Sequence, residues 1–236
     1  TDRYLDPPET EVCNVEKLLR VPDSIFCYMP PLTPPVNRLP VTQKGYITFG
    51  SFNNLIKLNS EVLNLWVDIL RQIPKARLFL KSRGFRFIDT CQETHRFFEH
   101  RGIDPSRILL LGMTPNRWEH LLLYHQVDIA LDSFPFNGHT TTMEALWMGV
   151  PVIALKGKTG FGRVAYSFLS ILNYPELIAS TPDEYVQIAV QLAQDLPRLQ
   201  KYRQQLRSQL KNSPLCNTKA YMQAIEELLV QAWLEA

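Results

Sequence analysis

The chain has 236 residues, of which 45% are hydrophobic and 20% charged, and its formal net charge is +2. That length is enough for one domain with a substantial core. The near-neutral charge gives no reason to expect binding to nucleic acid or to a membrane surface, so we expect neither as a partner.

Residues 1–44 form a first segment that is rich in proline, with eight of the seventeen prolines of the chain. Because proline fixes φ and lacks an amide hydrogen, regular structure is not expected between Pro30 and Pro40. The segment also carries apolar residues such as Ile25 and Tyr28. We therefore predict an extended strap or inter-domain linker that packs on its surroundings, followed by a domain over residues 45–236.

From residue 45 onward, predicted strands and helices alternate. The predicted strands cover residues 46–52, 76–80, 107–111, 128–132, 150–155 and 177–179. The predicted helices cover residues 60–73, 89–101, 141–148, 163–172, 195–211 and 218–234, with two more that begin near residues 114 and 181. Alternation of this kind is typical of βαβ units. It predicts an α/β fold, a Rossmann-like, doubly wound and mostly parallel sheet.

Local signals set the ends and faces of three of these helices. The pair Thr114-Pro115 is typical of a helix whose first residue is proline. Thr181 with Glu184 three residues later predicts a capping box at the start of another helix. The last helix has an apolar stripe at helical spacing, for which we expect packing in the core. The stripe consists of Tyr221, Ile225, Leu228, Leu229 and Trp233.

The four cysteines are scattered and form no metal-binding motif. They lie at Cys13, Cys27, Cys91 and Cys216, without a Cys-x-x-Cys pair or a Cys/His cluster. This pattern favours reduced thiols in a cytoplasmic protein over a zinc site. No apolar stretch reaches the about 18 residues that a membrane span needs. The chain does not begin with methionine, and we expect a fragment or a processed product.

The segment from Asp132 to Glu144 is the most informative for function. It leaves a predicted buried strand, turns at Asn137-Gly138 and enters a helix. A helix start presents unpaired N–H groups and a partial positive charge, which suit a phosphate. Glu144, about one turn into the helix, is placed to reach ribose hydroxyls. An ordinary capped helix has similar residues, and the chain lacks the GxGxxG motif of dinucleotide sites, so this segment alone leaves phosphate binding open.

Two further loops follow predicted strands. Residues 50–57 are rich in glycine and asparagine and end in a lysine, and residues 156–163 are glycine-rich and basic. Ligands of doubly wound sheets bind beyond the carboxyl ends of the strands. Each loop alone is explained equally well as a solvated surface loop. Three such loops at one edge of the sheet favour a diphosphate site.

Five motifs in order along nearly the whole chain point to a known family. They are residues 49–57, 132–141, 149–152, 163–165 and 213–219. These motifs resemble the O-linked N-acetylglucosamine transferase family, including its SPINDLY-like branch. The resemblance implies the C-terminal, nucleotide-sugar-binding lobe of a two-lobed glycosyltransferase of the GT-B type. It also implies an upstream catalytic lobe, out of which residues 1–44 lead as a proline-rich linker or strap, and helical repeats in the full-length protein.

The resemblance implies roles for residues around the predicted phosphate site. Lys57 corresponds to the lysine of the family that contacts the diphosphate and stabilises it as the leaving group. Gly138, His139, Thr140 and Thr141 correspond to the phosphate-binding helix start.

The resemblance also implies a substrate-binding set beyond the phosphates. Glu144 stands where the family has an acidic ribose ligand, and His120 matches a histidine near the nucleoside. Arg117 roughly matches a lysine that contacts the base. Asn54 stands where animal members have a glutamine, and Arg163 of the basic loop completes the set.

The implied reaction is inverting transfer of N-acetylglucosamine from UDP-N-acetylglucosamine to Ser or Thr hydroxyls of proteins. It needs no cofactor or metal in this family, and the sequence contains no Asp-x-Asp pair. The residues that handle the acceptor proton belong to the upstream lobe, so none is named here. Two alternatives stay open: another donor such as GDP-fucose, and a non-catalytic nucleotide-binding or interaction module.

Overall fold

The sheet of the protein follows the predicted doubly wound plan. A computed structural model describes residues 1–235, and in them six parallel strands form one sheet in the order β3-β2-β1-β4-β5-β6. The strands are β1 Thr48–Ser51, β2 Arg77–Lys81, β3 Ile108–Leu111, β4 Ile129–Leu131, β5 Val152–Leu155 and β6 Ile178–Ala179. The order reverses direction between β1 and β4, which is the position where such sheets bind ligands.

Helices connect the strands and then close the chain. They are α1 Val41–Lys44, α2 Ser60–Gln72, α3 Ile88–Glu99, α4 Arg117–Leu122, α5 Thr140–Trp147, α6 Val164–Ile171, α7 Pro182–Gln194, α8 Leu196–Lys211 and α9 Thr218–Leu234. Among residues 1–235, no helix is both long and apolar enough to cross a membrane.

The core lies between the sheet and the helices packed on it. All four residues of β1 and all three of β4 are buried, as expected for central strands of a covered parallel sheet. The indole of Trp66 in α2 donates to the hydroxyl of Tyr185 in α7 over 3.2 Å, and both side chains are fully buried. α5 and α8 form another packed pair. The helices thus fix the carboxyl ends of β1 and β4 relative to each other.

Residues 1–44 cross the surface of the domain, with regular structure only in a 3-10 helix at Pro8–Cys13 and in α1. They are held by hydrogen bonds to distant elements. Tyr28 donates its amide to the carbonyl of Leu215, and the guanidinium of buried Arg203 in α8 donates to the carbonyl of Asn37. The segment therefore packs on the domain, while a domain boundary at residue 44 stays a prediction.

Two helix starts in the structure differ in detail from their predictions. α4 begins at Arg117 rather than at Pro115, because the side chain of Asn116 accepts from the amide of Glu119 over 2.9 Å and caps the helix there. At α7 the hydroxyl of Thr181 accepts from the amide of Glu184, as predicted. The carboxylate of Glu184, however, accepts from the amide one residue before the cap.

The predicted core packing of the last helix is wrong. No described residue of α9 is buried, and Leu229 and Trp233 are 59% and 82% exposed. α9 contacts the 3-10 helix at Pro214–Cys216, and the hydroxyl of Tyr221 donates to the carbonyl of Ile25 in the first segment. Helical spacing of apolar residues identifies an apolar face, but it does not identify what covers that face.

Candidate functional site

The start of α5 lies beyond the carboxyl end of β4, at the switch point of the sheet. The amides of His139, Thr140 and Thr141 donate to no acceptor within residues 1–235. Thr140 is exposed, so this helix start is open to solvent. Three free donors at the positive end of a helix form a site suited to an anion.

Gly138 makes the tight turn into α5 possible. A Cβ atom on this residue would lie 2.6 Å from Thr142 Oγ1, 2.7 Å from Thr141 Oγ1 and 2.8 Å from Asn53 Oδ1. Real Cβ contacts are longer than this, so any larger residue would have to displace these three side chains. The backbone of the turn thereby approaches the loop that follows β1.

The side chain of Lys57 also lies near the start of α5, on the other side of the switch point. It ends the 3-10 helix that follows β1, and its Nζ donates to the carbonyl of Asn137 over 2.7 Å. Partial burial lowers the pKa of Lys57, against the negative charge of Asp132, which raises it. Asn54, by contrast, is exposed and caps the 3-10 helix, with its side chain accepting from the amide of Ile56 over 3.3 Å.

The ring of His139 packs among aromatic side chains. It stacks on Phe136 with centroids 5.8 Å apart and meets Phe26 of the first segment edge-on at 5.3 Å. Burial, followed by the charge of Lys57, lowers the pKa of His139 and so favours a neutral ring. Its Nε2 is buried without a hydrogen-bond partner among the described residues, which leaves one polar atom of the ring available.

Glu144 is the centre of a second cluster, one turn further along α5. Its side chain is 6% exposed and accepts from Arg117 over 3.3 Å and from His120 over 2.9 Å. Lys81 Nζ lies 3.1 Å from the other ring nitrogen of His120. Since an ammonium group only donates, this nitrogen accepts and the nitrogen facing Glu144 carries the hydrogen. The cluster is therefore a continuous chain of donors and acceptors that orients the carboxylate.

Arg163 is not joined to the other predicted site residues by hydrogen bonds. Its guanidinium donates to the carbonyl of Gly157 over 3.0 Å and to that of Leu5 over 3.4 Å. It thus closes its own loop and ties that loop to the first segment.

Three residues of the site received no role from the sequence. Asp132 and Asn53 join the end of β4 to the loop after β1 through a hydrogen bond of 3.0 Å, and Lys81 supports His120. Lys81 follows a predicted strand directly, so the rule that selects polar residues at strand ends would have found it. The pairing of Asn53 with Asp132 spans 79 positions in the sequence and has no local signal.

The chain matches a known protein family over most of its length. The sequence profile described as glycosyl transferase family 41 matches residues 38–225. The probable UDP-N-acetylglucosamine–peptide N-acetylglucosaminyltransferase SPINDLY of Petunia hybrida is 38% identical over 234 residues, which are 99% of this chain and 25% of the relative. The UDP-N-acetylglucosamine–peptide N-acetylglucosaminyltransferase of Caenorhabditis elegans is 37% identical over 188 residues, 79% of this chain and 16% of the relative.

Solved structures agree with this match. An O-GlcNAc transferase mutant of Thermobaculum terrenum superposes with a TM-score of 0.87 at 34% identity, over 98% of this chain and 44% of that one. S. aureus TarM superposes with a TM-score of 0.60 at 10% identity, over 96% of this chain and 42% of that one, which shows the fold alone. The chain spans about a quarter of the SPINDLY relative and less than half of either structure.

Proposed function

Because the chain belongs to glycosyl transferase family 41, we propose that it is the donor-binding lobe of an inverting enzyme that moves N-acetylglucosamine from UDP-N-acetylglucosamine to protein Ser or Thr hydroxyls. Relatives named for that donor and for a peptide acceptor support this assignment. Under this proposal an upstream catalytic lobe and helical repeats complete the whole protein. Four free cysteines support a cytoplasmic location.

The observation that carries the proposal is the meeting of free amides and one ammonium group at the switch point. The three amides at the start of α5 have no acceptor in residues 1–235, and Lys57 Nζ is held 2.7 Å from the carbonyl of Asn137, two residues before the first of them. A diphosphate bound there would receive backbone hydrogen bonds and a positive charge together. Fixed donors of this kind need no reorganisation when the ligand arrives.

The second cluster fits the nucleoside end of the same ligand. Glu144 lies one turn, about 5.4 Å, along α5 from the free amides. A carboxylate can accept hydrogen bonds from two vicinal ribose hydroxyls. Its orientation is fixed by Arg117 and His120, and its side chain is 6% exposed. With phosphates at the helix start and ribose at Glu144, the base would lie near His120 and Lys81.

The same groups supply the proposed chemistry. As the glycosidic bond breaks, negative charge builds on the diphosphate, and the amides and Lys57 stabilise that charge more in the transition state than in the ground state. We propose that these groups replace a metal ion, so that transfer and binding need none. The acceptor hydroxyl attacks in line and inverts the anomeric carbon, and its proton leaves to a group outside this chain.

Calorimetric titration tests the proposal. UDP, UDP-N-acetylglucosamine and GDP-fucose are titrated into the chain with and without EDTA. We expect UDP and UDP-N-acetylglucosamine to bind with the same affinity in both buffers. Selective binding of GDP-fucose would instead favour the fucosyl donor, and no binding of any of the three would favour an interaction module. Binding that requires magnesium or manganese would contradict metal independence.

A further inference from the structure

Asp132 is a buried carboxyl group behind the proposed diphosphate site, and only one of its oxygens is used. It follows β4 and is 2% exposed. Oδ1 accepts from the amide of Gly138 over 2.7 Å and from Asn53 Nδ2 over 3.0 Å. Oδ2 is buried and has no hydrogen-bond partner among the described residues. A buried polar atom without a partner is costly, so this one calls for an explanation.

The hydrogen bonds to Asp132 Oδ1 connect three segments of the site. Asn53 receives the hydroxyl hydrogen of Thr141 on its Oδ1 over 2.6 Å, while its Nδ2 donates to Asp132. Asp132 therefore links the loop after β1, the turn at Gly138 and the first turn of α5. These segments position the free amides at the start of α5 and the loop that carries Lys57, so the shape of the proposed diphosphate site depends on this carboxyl group.

The charges around Asp132 are few. Lys57, on the 3-10 helix after β1, is the cation that acts on it, and the hydroxyl of Tyr185 in α7 donates to its main-chain carbonyl over 2.9 Å. His139, at the start of α5, has a pKa lowered by burial and so favours the neutral form. Burial raises the pKa of Asp132 to about 7, while its hydrogen bonds and Lys57 act in the opposite direction.

Lys57 thus faces two anions once a diphosphate binds. An ionised carboxylate at Asp132 and a diphosphate at the start of α5 would repel each other while sharing the positive charge of Lys57, because Asp132 is buried and charges are weakly screened there. Like charges disfavour ionisation of the weaker acid. A proton on Oδ2 removes this repulsion and leaves both hydrogen bonds to Oδ1 in place, because Oδ2 accepts no hydrogen bond from the described residues.

We propose that Asp132 is the positioning residue of the diphosphate site, and that binding of the diphosphate is accompanied by uptake of one proton from solvent on its Oδ2. This inference rests on the proposed function, since it takes the start of α5 as the diphosphate site. The proton does not take part in sugar transfer. It allows the carboxyl group to hold the turn without opposing the ligand.

Asp132→Asn is the decisive variant. The amide keeps an oxygen for Gly138 and Asn53 and places a neutral group where Oδ2 lies. Asp128→Asn, at the other end of β4, is the matched control. Both oxygens of Asp128 accept, from the amides of Val41 over 2.9 Å and Thr48 over 2.8 Å, so this variant loses a hydrogen bond away from the site.

The measurement is calorimetry at pH 8 in buffers of different ionisation enthalpy, which counts the protons taken up on binding. The ligand is whichever of UDP and GDP binds the wild-type chain more tightly. We expect uptake approaching one proton in the wild type and in Asp128→Asn, and none in Asp132→Asn. Asp132→Ala, which removes the oxygen as well, should lose at least tenfold in affinity.

Two results would overturn the inference alone. Binding by the wild type without proton uptake would show that the carboxyl group keeps its charge state. Equal uptake in Asp132→Asn would place the proton elsewhere, with the neutral ring of His139 as the first candidate. If neither UDP nor GDP binds the wild type, both the inference and the proposed function fail, so the two failures are distinguishable.

Discussion

Single residues set the character of the proposed site, and Lys57 is the most important of them. It lies between the main-chain carbonyl of Asn137, at 2.7 Å, and the ring of Phe136, whose centroid is 4.3 Å from Nζ. Partial burial lowers its pKa, which means that its charge is held at a cost in the absence of a ligand. A diphosphate would restore favourable surroundings to that charge. The contribution of Lys57 to binding should therefore depend on the phosphates of the ligand.

Lys57→Ala should weaken binding of UDP far more than binding of uridine. A hydrogen bond to a charged group contributes about 1.5–3 kcal/mol, equivalent to roughly 10–150-fold in affinity. Glu144→Ala is the matched control, because the ribose that it is proposed to hold is present in both ligands and both should weaken alike. Calorimetry with the two ligands measures the ratio. Equal losses for UDP and uridine in Lys57→Ala would show that this lysine does not face the phosphates.

At this scale the sequence identified residue types better than their partners. Lys57 and the start of α5 could be selected because each follows a strand, and Glu144 because it lies about one turn into the helix that begins there. The contacts that orient them join distant positions, such as Asn53 with Thr141 and Lys81 with His120. Arg163 was also predicted to belong to the site, but its guanidinium donates to the carbonyls of Gly157 and Leu5 and not to the other predicted site residues. Composition of a loop does not determine where a long side chain points.

At the scale of elements, the alternation of strands and helices was readable because buried parallel strands are nearly continuous apolar runs. The order of strands was not, since it depends on contacts between β1 and β4 that are about 80 residues apart. α9 shows a second limit. Both helices carry apolar residues at helical spacing, yet α2 buries five of its residues and α9 buries no described residue. Whether an apolar face is buried depends on what packs against it, and the periodicity of a single helix carries no information about that.

Substitutions in α8 and α9 should therefore differ sharply. Trp233→Ser in α9 should change the free energy of unfolding by less than about 0.5 kcal/mol, since the side chain is 82% exposed. Leu210→Ala in α8, where the side chain is fully buried, should cost about 2–5 kcal/mol. Urea unfolding followed by circular dichroism measures both. A loss of several kcal/mol in Trp233→Ser would mean that the stripe of α9 is covered in solution.

On the scale of the whole molecule, the first segment and α8 tie the domain together. Arg203 is 2% exposed and donates to carbonyls of Tyr124, Val127 and Asn37, and burial lowers its pKa to about 10. Arg207 joins Pro34 to the end of α5 in a similar way. Residues 1–44 are thus part of the packing of the domain, which proline content alone did not reveal.

The chain alone should bind the donor but transfer no sugar. It spans about a quarter of the SPINDLY relative, and under the proposed function the acceptor is positioned by an upstream lobe. Loss of positioning can remove about 7–11 kcal/mol of rate enhancement. The assay uses radiolabelled UDP-N-acetylglucosamine and a peptide rich in Ser and Thr. Transfer should occur only with a longer chain that includes the upstream lobe, and robust transfer by the 236-residue chain would contradict this division of labour.

The central claim is that the start of α5 and Lys57 together hold the diphosphate of a nucleotide sugar. The structure of the chain crystallised with UDP tests it most directly. We expect phosphate oxygens at about 2.7–3.2 Å from the amides of His139 to Thr141 and from Lys57 Nζ, with the ribose hydroxyls on Glu144. Phosphates bound elsewhere, for example on the basic loop at residues 156–163 with the α5 amides still free, would contradict the account.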